Sequence, residues 1–121
     1  MDAKVKRALE QDLTIDITTK GRKSGLPQRT EIWFHNLYGR LYITGTPGKR
    51  DWLANLIANP EFTFHLKQSA QADLPARAKP IFQLARRREV LAAILGKLGK
   101  EEDLEARVEG APLVEVHVEV D

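Results

Sequence analysis

Gln28-Arg29-Thr30-Glu31-Ile32-Trp33-Phe34-His35-Asn36-Leu37-Tyr38-Gly39-Arg40-Leu41-Tyr42-Ile43-Thr44 reads as two β-strands joined by a tight turn. Thr30, Ile32 and Phe34 share one face, the period of two of a half-buried strand. Tyr38-Gly39-Arg40 breaks the alternation with the residue types of a hairpin connection. A β-branched and aromatic run then resumes, so strands 28–37 and 41–44 are expected to pair antiparallel.

Outward from this hairpin the same grammar continues. Residues 2–12 are rich in Ala, Lys, Glu and Leu and read as a short helix. Leu13-Thr14-Ile15-Asp16-Ile17-Thr18-Thr19 alternates as a strand, and Gly21 and Gly25-Leu26-Pro27 bracket a turn. After the loop Thr46-Pro47-Gly48-Lys49-Arg50, residues 51–58 form a helix with Asp51 as N-cap or first-turn acid. Asn59-Pro60 ends it, because a residue before proline avoids helical geometry. Strand 61–67 puts Phe62, Phe64 and Leu66 on one face, and 74–79 forms a fifth strand weakened by Pro75 and Pro80. A longer helix is expected over 81–98, with Ile81, Leu84, Leu91, Ile94, Leu95 and Leu98 at helical spacing. The last strand, 113–120, alternates Val114, Val116, Val118 and Val120 with Glu115, His117 and Glu119. Six mostly sequential strands and about three helices give a single α+β domain, 1–121. A small antiparallel barrel is the natural way to remove its sheet edges.

Composition excludes whole classes of chemistry. With no Cys among 121 residues there are no disulfides, thiolate metal sites or cysteine nucleophiles. Hydrophobic residues at 42% and charged residues at 30% are a globular balance, and no apolar run is long enough to span a membrane. The N-terminus carries no apolar signal segment, so the expected setting is the cytoplasm. Charge is unevenly spread. Residues 1–50 hold ten Lys/Arg against five Asp/Glu, and residues 81–121 hold six against nine. The first half is therefore expected to meet an anion.

Two segments carry that expectation. Thr18-Thr19-Lys20-Gly21-Arg22-Lys23-Ser24-Gly25 runs from a strand into a turn with three cations, a hydroxyl and two glycines. Oriented amides beside cations cradle phosphate or carboxylate, although the order of residues is not that of a P-loop. Ile43-Thr44-Gly45-Thr46-Pro47-Gly48-Lys49-Arg50-Asp51-Trp52 combines a strand end, a basic loop and a helix start, where free N–H groups and the helix dipole favour anions. Side by side, the two loops would make one anion pocket, with Trp33 and Trp52 available as flat walls for a ring.

T-T-K-G-R-K-S-G, the strand containing Glu31-Ile32-Trp33-Phe34, and W-L-A-N-L-I-A-N-P-E-F-T-F together resemble the deazaflavin-dependent nitroreductase family, in its nitroreductase/quinone reductase branch. The resemblance covers about residues 13–80 and the Pro112-Leu113-Val114-Glu115-Val116 strand. It implies an FMN-binding split-barrel-like fold, dimeric, that binds the deazaflavin coenzyme F-420 or, in cousins, FMN. By that likeness Arg22, Lys23, Ser24 and Gly25 hold the phosphate or acidic tail. Thr44, Thr46, Gly48, Lys49 and Arg50 line the ring and side chain, and Trp52 and Asn55 shape the pocket from the helix. The implied activity is hydride transfer from the reduced coenzyme to a quinone-like or nitro-aromatic acceptor, with no side-chain nucleophile and no metal. This chain departs from the family in leading directly from T-P-G-K-R-D into Trp52, and in having no Tyr or Trp beyond Trp52.

Other readings stand beside this one. The same fold with FMN or haem would serve binding or sensing rather than turnover. A nucleic-acid-binding barrel is a third reading of the basic first half, although the partners expected here are small molecules and a second copy of the chain, not nucleic acid. His35, His65 and His117 fall on the strand face opposite the apolar stripe and are expected to face solvent; a role as haem ligand is the alternative. Arg86-Arg87-Arg88 reads as a solvated helix face, Tyr38 and Tyr42 as structural, and the Trp33/His35 face as the dimer surface.

Overall fold

A computed structural model describes residues 2–119; Val120, the end of the expected last strand, lies outside them. The elements are α1 (Ala3–Gln11), β1 (Thr14–Lys20), β2 (Pro27–Leu37), β3 (Arg40–Thr44), α2 (Asp51–Ala58), β4 (Glu61–Leu66), β5 (Ala72–Pro80), α3 (Leu84–Leu98), a 3-10 turn (Glu101–Asp103), α4 (Leu104–Gly110) and β6 (Leu113–Val118). The strands close into a barrel in the order β1-β2-β3-β6-β5-β4, with every neighbouring pair antiparallel. The hairpin around Gly39 (φ +90°) joins β2 to β3, in the register Phe34 opposite Ile43.

The inward face follows the sequence alternation. Ile15, Ile17, Phe34, Ile43, Phe64 and Val114 are buried in one cluster, and Phe34 meets Phe64 edge to face with ring centres 5.2 Å apart. Helix α1 joins this core through Ala8 and Leu9 beside the start of β1. Trp52 and Leu56 of α2 join it at the other end. A second cluster of Tyr42, Ile81, Val90, Leu91, Ile94, Val108 and Leu113 sits where α3 and α4 cover the outer wall formed by β3 and β6. The wall there is buried on both faces, which is why Leu41, Tyr42, Ile43 and Thr44 are all buried in sequence.

The expectations need three corrections. Four helices, not about three, flank the barrel, because residues 104–110 form α4. Helix α3 begins at Leu84 rather than 81: Ile81 N–H donates to the Leu113 carbonyl (3.0 Å), which keeps that stretch extended, and Leu84 is exposed. His35 and His65 are buried, not solvent-facing, because helices and neighbouring strands cover them; of the three histidines only His117 is exposed. The proposed Trp33/His35 dimer face therefore reduces to Trp33, which is 48% exposed.

Candidate anion and cofactor site

The first basic turn closes on itself. Gly21 N–H donates to the Leu26 carbonyl (2.9 Å), Gly25 N–H to the Gly21 carbonyl (2.9 Å), and Leu26 N–H to Ser24 Oγ (3.1 Å). Both glycines are demanded by shape. Gly25 has φ +72°, and a Cβ on Gly21 would stand 2.6 Å from Ser24 Oγ. Among the described residues, the N–H groups of Lys23 and Ser24 meet no protein acceptor, and Lys20 and Lys23 meet no carboxylate. The turn thus presents unmatched donors and positive charge to solvent, as a cradle for an anion must.

Asn55 fixes the turn to α2. Its side chain is fully buried; Oδ1 accepts from Arg22 N–H (3.1 Å) and Arg22 Nη1 (3.0 Å). Its Nδ2 donates to Thr19 Oγ1 (3.1 Å) and Gln28 Oε1 (2.9 Å), so one amide ties the end of β1, the turn, the start of β2 and the helix together. Asn55 is therefore a positioning residue. Of its two partners, Thr19 was noted within the first basic segment without a role and Gln28 was given none; the β1–β2 register that sets them opposite each other is what would have found the pair.

The second loop meets the first. Arg22 Nη2 lies 3.3 Å from Asp51 Oδ1 in the first turn of α2, and a cavity of about 350 Å³ is lined by Arg22, Lys49, Arg50, Asp51, Leu53 and Ile57 among others. Arg50 is preset by its own loop, donating through Nη2 to the Thr46 carbonyl (3.0 Å) and Thr46 Oγ1 (2.9 Å). Lys49 has no carboxylate partner among the described residues. Gly48 (φ +132°) donates to the Gly110 carbonyl (3.0 Å), and Arg107 Nη1 to the Gly45 carbonyl (3.3 Å), so α4 braces the loop. That brace was invisible in the sequence because nothing local marks a contact across some sixty residues.

Two expected site residues are placed elsewhere. Thr44 is buried and donates its hydroxyl to the Pro112 carbonyl (2.5 Å), which leaves it no proton to offer a ligand. Trp52 is 7% exposed within the barrel core and anchors α2 rather than offering a free wall for a ring. The arginine run is not one solvated face either. Arg86 donates to Tyr42 Oη (2.9 Å), Arg88 pairs with Glu105, and buried Arg87 donates to the carbonyls of Ile81, Arg107, Val108 and Ala111. At His35, burial, helped by Lys97 and Arg107, lowers the imidazole to about 4.

Residues 1–98 match the family described as F420H(2)-dependent quinone reductase. The chain belongs to that family. Among curated proteins no match is found. Solved structures of similar shape include an F-420 reductase, with TM-score 0.64 and 21% identity over 95% of this chain and 93% of that one. An FAD-binding protein from Mesorhizobium loti matches with TM-score 0.68 and 15% identity over 99% and 91%. The haem storage protein HutZ from Vibrio cholerae matches with TM-score 0.69 and 18% identity over 97% and 89%. At such identities these likenesses establish the split-barrel fold. Dependence on F-420 comes with membership of the quinone reductase family.

Proposed function

We propose that this protein is an oxidoreductase that holds F-420 across its two basic loops and reduces a quinone-like or nitro-aromatic acceptor. The observation that carries the reading is the convergence of Arg22 from one loop with Lys49 and Arg50 from the other on a single cavity. The residues fit the coenzyme's anionic part. Lys23, Lys49 and the free N–H groups of Lys23 and Ser24 are donors without protein partners among the described residues, and Gly25 and Gly48 keep the backbone approachable. Thr46 and Arg50 lie together in the second loop, while Asn55 positions Arg22. When bound, the reduced coenzyme supplies a hydride from its ring carbon. The chain's own part is to neutralise the anion, orient the ring and exclude water. Its setting is the cytoplasm; no helix among the described residues is long and apolar enough to cross a membrane.

Lys23→Glu combined with Lys49→Glu tests the site without touching the Asn55 network. The expected outcome is at least a tenfold loss of F-420 affinity, about 1.4 kcal/mol, with an unchanged circular dichroism spectrum. Unaltered affinity in a folded double variant would remove the site assignment.

A further inference from the structure

A cavity larger than the one between the basic loops lies elsewhere on the barrel. A groove of about 690 Å³ runs along β1, β4 and β5, lined by Thr18, Thr63, Asp73 and Arg77, and reaches the first basic turn at Lys20 and Gly25. Its volume lies in the range of small-molecule sites. Behind its wall stands buried His65. Nδ1 is 2.6 Å from Asp73 Oδ1 and Nε2 is 2.7 Å from Thr18 Oγ1. The charged groups around the ring are divided. Opposite His65 are Asp16 on β1 and Asp73 on β5. Asp16 is occupied by Arg29 of β2 and by Lys67, which also binds Glu31; farther along, Glu61 pairs with Arg77. Asp73 is left to orient the imidazole.

This order has a chemical consequence. With Nδ1–H donated to Asp73, a neutral ring accepts the Thr18 hydroxyl proton at Nε2. A protonated ring instead donates Nε2–H to Thr18 Oγ1 and frees the Thr18 hydroxyl proton for an acceptor in the groove. We propose that the groove is the subsite for a small planar quinone, and that Thr18, backed by His65 and Asp73 as positioning residues, delivers the proton its reduction requires. The inference rests on the F-420 reading for its electrons. The bound reduced coenzyme would supply the hydride, with both electrons, that adds to the quinone. Thr18 gives its proton to the remaining quinone oxygen and takes one from Nε2 of His65, solvent reprotonates the ring, and hydroquinone leaves.

The test has two arms. In the first, menadione is titrated into isotope-labelled protein without coenzyme; there is no Cys for it to arylate. Saturable shifts of the amide signals of Thr18, Thr63 and Asp73 are expected, weakened several-fold in Thr18→Val and retained in Thr18→Ser. Shifts confined to other surfaces, or none, would overturn the subsite. In the second arm, kcat and KM of the F-420-loaded enzyme are followed against pH. His65→Gln should lower kcat about a hundredfold with KM little changed, and should alter the pH profile. A folded His65→Gln variant with the wild-type rate and profile would show the array to be a strand clamp only. If wild-type protein fails to bind F-420, the parent reading falls by itself, and the menadione arm still decides the groove.

Discussion

Asn55 concentrates more of the candidate site than any cation does. Four hydrogen bonds end on one buried amide, and removing it leaves Arg22 N–H, Thr19 and Gln28 to find water in a packed region. Asn55→Ala is expected to cost about 2 kcal/mol in urea unfolding and to loosen the turn. An effect within experimental error would mean the network is not the tether. His35 sets a second expectation. Its folded value of about 4 lies below the ordinary 6.5, so the native state prefers the neutral ring. As pH falls below 6.5 the unfolded chain takes up the proton first. Stability is therefore complete above that pH and declines toward pH 4, by up to about 3 kcal/mol. Urea unfolding across that window should show the slope, and His35→Leu should flatten it; equal slopes would exclude His35 as the source. Neither residue was legible alone. Asn55 stood out only through a family pattern, and His35 looked exposed because strand alternation says which face a residue takes, not what covers that face.

At the scale of elements, the strands were legible and the helical cover was not. Alternation around Gly39 and from Val114 to Val118 depends on neighbours two residues away, so β2, β3 and β6 could be read locally. Helix α4 is seven residues long, charged, and held by contacts a sequence does not display. Arg87 supplies them: from α3 it donates to the carbonyls of Arg107, Val108 and Ala111 at the end of α4, and to Ile81 before α3. Reading the arginine run as a solvated face failed because a buried guanidinium with all three nitrogens hydrogen-bonded looks, in sequence, like its exposed neighbours. Arg87→Met removes those four hydrogen bonds; among the described residues only the Arg107 carbonyl keeps another partner, Ala111 N–H. The variant is expected to lower stability by about 3 kcal/mol, with faster hydrogen exchange in α4. Unchanged exchange there would mean α4 docks through its apolar contacts alone. Because α4 also braces the second basic loop, the same variant links helix docking to the site.

For the whole molecule, the charge asymmetry of the chain becomes a spatial one: two basic loops from the first half meet beside the start of α2, and acidic residues of the second half partner Arg86, Arg88 and Arg107 on the helical side. The barrel was foreseen from the sequence, where the meeting of the loops entered only as the condition for a single anion pocket. The larger groove was not, since it is made by Thr18, Thr63 and Asp73 from three strands in register. Half-exposed Trp33 is the surface we assign to a second copy of the chain. Light scattering at micromolar concentration is expected to give the mass of a dimer; the mass of one chain would contradict it. The measurement that bears most directly on the central claim is a fluorescence titration of the purified protein with F-420 and with FMN in parallel. Micromolar or tighter binding of F-420, with FMN much weaker, is the expected result. Preference for FMN, or no binding of either, would contradict it.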